Sequence, residues 1–335
     1  MANAHTNIAI AHEYCKRFPK VPSKTLARKM FNEQPGRFTT FNAAYLCVRK
    51  VRGVQGKNLR IAKENRVPWK KRKAGEVPEC PPSYADPWEP FVLDVPGRII
   101  SLSDLHVPYH SKEAIETAVN FTKRFKPDAV VLNGDILDFY RISRYEKDLS
   151  KRSLTEEILV GRDFLCYLRA RLGRKIRLIY KLGNHDERWD KFIWQRCAEM
   201  FDLDNLQLHN VLHFDKLGIE RVGDSMIMVG KLPILHGHEL GRSIFNPVNP
   251  ARGAFLRTKV AILVGHHHQT SSHTESDMYH TEIATFSQGC LSDLTPEYAR
   301  VNRFNWGFAS IDVDKTGEYD LHNYRISNNY KVRST

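Results

Sequence analysis

Apolar residues recur at helical spacing in the first fifty positions; from residue 98 they run in short blocks separated by amphipathic stretches. Residues 7–18 place Ile8, Ile10, Ala11, Tyr14 and Phe18 on a helical period, which Pro19 and Pro22 end. Ser23 is positioned to cap a second helix in which Leu26, Met30 and Phe31 share a face. Pro35-Gly36 predicts a turn, and Thr40 caps a third helix with Phe41, Ala44, Tyr45, Val48 and Val51 inward. Residues 74–97 are rich in proline and turn acidic, which predicts a semi-rigid linker whose tail leads into a strand. Strand and helix then alternate: strand 98–103, helix 111–125, strand 128–132, helix 154–171, strand 176–180, helix 187–200. Shorter strands follow near 219–222, 225–229, 233–236, 260–264, 280–287, 306–313 and 319–325, with a helix near 249–257. Strand-helix alternation followed by strand-strand patterns predicts a mixed sheet layered with helices, with two sheets face to face.

Length and charge sharpen this division. The 335 residues allow one large domain and one small one, and 41% hydrophobic content suits a globular chain. The expected parts are a basic helical module at 1–75, a linker at 76–97 and a larger strand-and-helix domain at 98–335. Residues 1–97 hold 18 Lys+Arg against 8 Asp+Glu, whereas residues 98–335 hold 33 against 30. Most of the net +13 therefore sits in the first third, which points to a polyanionic partner. Three short helices with tight connections resemble a helix-turn-helix module, although such units also bind protein. From Arg49 to Lys73 eleven cations face a single acid, Glu64. Arg49, Lys50, Arg52, Lys57, Arg60, Lys70, Lys71, Arg72 and Lys73 are expected to track phosphates without reading bases. The partner so implied is nucleic acid, DNA before RNA, and not a membrane. No run approaches ~18 apolar residues and no basic start precedes an apolar stretch, so a soluble cytoplasmic protein is expected. Six scattered cysteines with no CxxC pair argue against a zinc ribbon or a disulfide framework.

Polar cassettes recur where apolar strands stop: Asp104-x-His106, Gly134-Asp135-x-x-Asp138, Gly183-Asn184-His185-Asp186, Leu235-His236-Gly237-His238 and Gly265-His266-His267-His268. Ligands collect at the carboxyl ends of strands in open α/β sheets, and Asp with His in this spacing is metal-ligand chemistry. Any one cassette can be an ordinary turn; five in order are hard to explain separately. Their order resembles the calcineurin-like metallophosphoesterase superfamily, whose pattern is D-x-H, GD-x-x-D, GNH-D/E, H and GH-x-H, over roughly residues 98–290. The resemblance implies an α/β fold, a four-layer αββα sandwich of two mixed sheets with two metal ions between them, preceded here by a small all-α domain. It implies that Asp104, His106 and His268 bind one metal, that Asn184, His236 and His266 bind the other, and that Asp135 bridges them. It further implies that His185 protonates the leaving oxygen, with Asp186 orienting it. His238 and His267 fall beside ligand positions.

The residue chemistry agrees with that carry-over. A mixed oxygen and nitrogen set without thiolate suits Mn²⁺ first, with Fe or Zn²⁺ as alternatives. Two divalent cations about 3.5–4 Å apart lower the pKa of a shared water, which attacks phosphorus, and stabilise both oxygens of the displacement. An imidazole of near-neutral pKa protonates a departing alkoxide for about 10²–10⁴-fold. Arg141, Arg144 and Arg188 lie just beyond the cassettes and are expected to hold phosphate oxygens by forked hydrogen bonds. The expected activity is a two-metal phosphodiesterase or nuclease on nucleic acid. A phosphomonoesterase or cyclic-nucleotide phosphodiesterase stays open, as does a nucleic-acid-binding regulator whose phosphoesterase domain is only structural.

Overall fold

The computed structural model describes residues 2–53, 79–85, 88–93, 97–144, 153–241 and 248–335, the side chains of 2–6 excepted. Contacts divide the chain into two compact units, Met1–Tyr84 and Ala85–Thr335.

The first unit is built from α1 (Ala2–Arg17), α2 (Ser23–Glu33) and α3 (Phe41–Arg52). Ala11, Leu26, Ala27, Met30, Phe38, Ala44 and Val48 form its core, as the helical spacing predicts. Thr40 caps α3 by accepting from the Ala43 amide at 3.1 Å. Ser23 does not cap α2: extended Pro22 takes the flanking position and Ser23 is the first helical residue. Arg52 also departs from expectation. It is 6% exposed and donates to the carbonyls of Phe18, Pro19 and Val21, which close the turn between α1 and α2. A guanidinium spent on three main-chain acceptors is structural and does not face a phosphate. Arg49 lies against the Tyr45 ring, and Lys50 is exposed. Lys57, Arg60, Lys70, Lys71, Arg72 and Lys73 lie outside the described residues.

The second unit holds two mixed sheets. The seven-stranded sheet has the order β13-β12-β11-β2-β3-β4-β5, from β2 (Gly97–Leu102), β3 (Ala129–Asn133), β4 (Arg177–Lys181), β5 (Ile219–Gly223), β11 (Gly307–Val313), β12 (Tyr319–Ile326) and β13 (Val332–Ser334). The six-stranded sheet has the order β1-β6-β7-β8-β10-β9, from β1 (Phe91–Leu93), β6 (Ile227–Val229), β7 (Leu232–Leu235), β8 (Ile262–Val264), β9 (Ser271–Ser276) and β10 (Glu282–Ser287). β1 lies inside the stretch expected to be linker. It pairs in parallel with β6, so the proline-rich segment ends before residue 91.

The period-two geometry of strands builds the layers. Ile99, Val131 and Ile179 face the second sheet, where they meet Ile227, Val229, Ile234 and Leu263. Their neighbours Ile100, Val130 and Leu178 face the opposite way, onto α4 (Lys112–Phe125) and α5 (Leu154–Leu172). Outside the six-stranded sheet, α9 (Pro250–Thr258) packs Ala254 against Ile262 and Val264. Helix, sheet, sheet and helix thus make four layers. α4 starts where Ser111 accepts from the Ala114 amide, and α5 starts at a capping box between Ser153 and Glu156. α6 (Glu187–Arg196) is shorter than the predicted helix, with only a 3₁₀ turn at Ala198–Met200 beyond it. Two short helices, α7 (Leu208–Val211) and α8 (Phe214–Leu217), lead into β5.

Glu157, on α5, is fully buried and accepts from the Tyr140 amide at 3.0 Å. Burial, reinforced by the charge of Asp138, pushes its carboxyl up to about 7. A carboxyl raised in the folded state binds more protons than the unfolded chain between about 4.5 and 7. Its contribution is therefore intact below that window and is lost as pH rises through it. Glu157→Gln should flatten the decline in Tm between pH 5 and 8, measured by scanning calorimetry beside the parent chain. Arg52→Ala should cost the helical unit about 1–3 kcal/mol, seen as faster amide exchange across α1–α3 with no change across β2–β4.

Candidate metal centre

The cassettes meet because the strands that precede them are neighbours. β2, β3 and β4 run parallel, with Leu102 beside Leu132 and Leu132 beside Tyr180, so the residues after them emerge together. β7 and β8 are also parallel, with Leu235 beside Val264. Asp104, His106, Asp135, His266 and His268 all adopt positive φ, between 50° and 68°. Each such turn costs a non-glycine residue about 1–3 kcal/mol. The ladder that holds them runs from the amides of Leu105 and His106 to the Asp135 carbonyl, at 2.9 and 3.0 Å, and from the His266 amide to the Asp104 carboxylate. The glycines allow close approach: a Cβ on Gly183 would strike the Asp135 carboxylate and amide, and one on Gly134 the His236 ring.

Three groups of donor atoms lie within 4.8 Å among the described residues: Asp104 with His106 and His268, Asp135 with His236 and His266, and His106 with Asp138 and His185. His268 Nε2 lies 3.3 Å from Asp104 Oδ1 and 3.2 Å from His106 Nε2. His236 Nε2 lies 3.2 Å from Asp135 Oδ2, and His106 Nε2 lies 3.8 Å from that same oxygen, so Asp135 faces the first two groups. His236 Nδ1 meets the Asn133 carbonyl at 2.8 Å, which aims Nε2 inward. Glu239 supports that turn by accepting from the amides of His236 and Gly237. Buried Lys181, 2.8 Å from Glu239, helps hold its carboxyl down at about 2 against the cost of burial.

The electrostatics set buried carboxylates against imidazoles. Burial alone would raise the carboxyls of Asp104 and Asp135. The imidazoles facing them, His268 at the first and His236 at the second, hold both below the ordinary range. Burial lowers His266 to about 3 and His267 to about 4, so both rings are neutral and present lone pairs. Asn184 Oδ1 is buried without a hydrogen-bond partner. Orphaned buried acceptors are costly unless something else satisfies them. A divalent cation fits these donors, and no thiolate is among them.

His185 sits at the edge of the first two groups, with Nε2 3.9 Å from Asp135 Oδ2. Its Nδ1 is 2.9 Å from Asp138 Oδ1, the carboxylate that also meets His106 Nδ1 at 2.9 Å. Asp138 therefore orients His185. The expectation that Asp186 does so is corrected: its oxygens accept from the amides of Gly183, Ile136 and Leu137 and from the Tyr180 hydroxyl. Those four donors turn it away from the imidazole and tie two cassettes together. Arg188 donates to the Asp138 carbonyl at 2.7 Å and reaches His185 Nε2 at 2.9 Å. Arg141 is half-buried on the 3₁₀ turn Tyr140–Ile142, and Arg144 is exposed just beyond it. His238 approaches Glu187 at 3.1 Å.

The model of the Calcineurin-like phosphoesterase family matches residues 97–301, more than half of the chain. Gene 54 protein of Mycobacterium phage L5 is 23% identical over 235 residues, covering 65% of this chain and 89% of its own. Gene 54 protein of Mycobacterium phage D29 is 25% identical over 229 residues, with the same coverage of each chain. Among solved structures, Vacuolar Protein Sorting 29 from Cryptosporidium parvum matches at TM-score 0.40 and 13% identity, covering 71% of this chain and 96% of its own. The phosphoesterase Yfce from E. coli matches at TM-score 0.34 and 15% identity, covering 71% and 98%. With the five strand-end cassettes gathered at one place, the match over residues 97–301 makes this chain a member of the calcineurin-like phosphoesterase family.

Proposed function

We propose that this protein is a two-metal phosphodiesterase acting on nucleic acid, with the basic N-terminal module delivering the substrate. The observation that supports the hydrolytic part is the meeting of six side chains, Asp104, His106, Asp135, His236, His266 and His268, with His185 beside them and the buried Asn184 Oδ1 lacking a hydrogen-bond partner. Two divalent cations, Mn²⁺ before Fe or Zn²⁺, would supply an activated water and neutralise phosphate charge. Asp104, His106 and His268 would hold one, Asn184, His236 and His266 would hold the other, and Asp135 faces both groups.

The remaining work falls to this chain's own groups. Arginine only donates, so in the contact with Arg188 the His185 Nε2 accepts and Nδ1 carries the proton shared with Asp138. A phosphate entering the site offers Arg188 a better acceptor, and its fork turns to the phosphate oxygens. His185 Nε2, freed of Arg188, then takes a proton from solvent water and gives it to the departing oxygen, while Nδ1 keeps its bond to Asp138. The delivery part is supported by the charge excess of residues 1–97 and by exposed Lys24, Arg28 and Lys50 on α2 and α3.

His185→Ala should keep its metal, measured by elemental analysis. Its kcat should fall about 10²–10⁴-fold on an alkyl phosphodiester and much less on a bis-nitrophenyl phosphate; equal losses on both remove the proton-donor role. Deletion of residues 1–75 should abolish salt-sensitive nucleic-acid binding while bis-nitrophenyl phosphate hydrolysis persists. Each lost phosphate contact lowers the log–log salt slope by about 0.9. Binding that survives the deletion removes the delivery role.

A further inference from the structure

Beside the donor cluster lies a cavity of about 190 Å³ whose floor includes His106 and Asp138. Its walls come from residues outside the five cassettes. Tyr109 and Tyr140 meet edge to face, with centroids 6.4 Å apart at 72°, and form an aromatic corner; Tyr298 stands on another wall. Asp293 and Glu297 also line the cavity, and both are exposed. The walls are held in place by main-chain bonds between two loops: Leu291 N to Asp104 O at 3.1 Å, Ser111 N to Leu291 O at 2.9 Å and Asp293 N to Tyr109 O at 2.8 Å. Tyr109 is therefore carried on the same backbone that sets Asp104 and His106.

Size, lining and charge together select an occupant. Drug-sized ligands fill sites of about 300–1,000 Å³, so this cavity admits a single ring system. Tyrosine faces stack on nucleobases with little sequence preference. The carboxylate side chains of Asp293 and Glu297 among the lining residues disfavour a second phosphate there. The floor shares Asp138 with His185, which puts the occupant on the side where the proton donor stands.

We propose that this cavity receives one uncharged heteroaromatic ring of the substrate, a nucleobase, while its phosphate lies at the donor cluster. The inference rests on the phosphoesterase reading above and adds what the site recognises besides phosphate. Adenosine carries the ring without the phosphate, and ribose lacks the ring. Equilibrium dialysis of each against the full-length Mn²⁺-loaded protein should show adenosine binding at least tenfold more tightly than ribose. Tyr298→Ala removes an exposed side chain and should weaken adenosine about tenfold, the scale of one lost stacking contact, while metal content and Tm stay at parent values. Equal binding of adenosine and ribose, or unchanged adenosine affinity in Tyr298→Ala, overturns the proposal. The readout does not depend on turnover. A protein that binds adenosine but cleaves no phosphoester refutes the hydrolase reading and leaves the ring site standing; one that cleaves esters and ignores adenosine does the reverse.

Discussion

Two buried carboxylates govern this molecule. Asp104 and Asp135 are 0% and 1% exposed, and removing ionised groups from water is expensive unless opposite charge or strong donors surround them. Imidazoles of His106, His236 and His268 come within 4 Å of one or the other. Each of these side chains stands at a strand end, so the requirement to gather them dictates which strands are neighbours. It also accounts for the strained backbone: a residue at positive φ redirects its side chain sharply, and five of the gathering residues sit there.

Much of the architecture was legible because strands buried on both faces leave unbroken apolar runs, as at Ile99-Ile100 and Ala129–Leu132. β9 was not, since Ser271–Ser276 is polar and occupies a sheet edge, where no alternation is imposed. β1 and β13 are three residues each, too short to show a period. β1 also sits in a proline-rich setting that argues for linker. The helical unit was readable for its core but not for Arg52, whose charge concealed its bonds to main-chain carbonyls.

At the site, residue types and strand-end positions were visible in the chain, while orientation was not. Asp138 and Asp186 are both acids near His185 in motif terms, and Asp186 is adjacent in sequence. Adjacency misleads there because the turn after β4 points the two side chains in different directions, whereas Asp138 arrives from another strand 47 residues away. Tyr109, Tyr140 and Tyr298 carried no signal, because aromatic residues scattered over loops have no spacing to betray a shared wall.

One carboxylate, Asp138, grips His106 on one side and His185 on the other. The aim of both rings is therefore set by one side chain, and a change at position 138 would turn a member of the donor cluster and its neighbouring imidazole together.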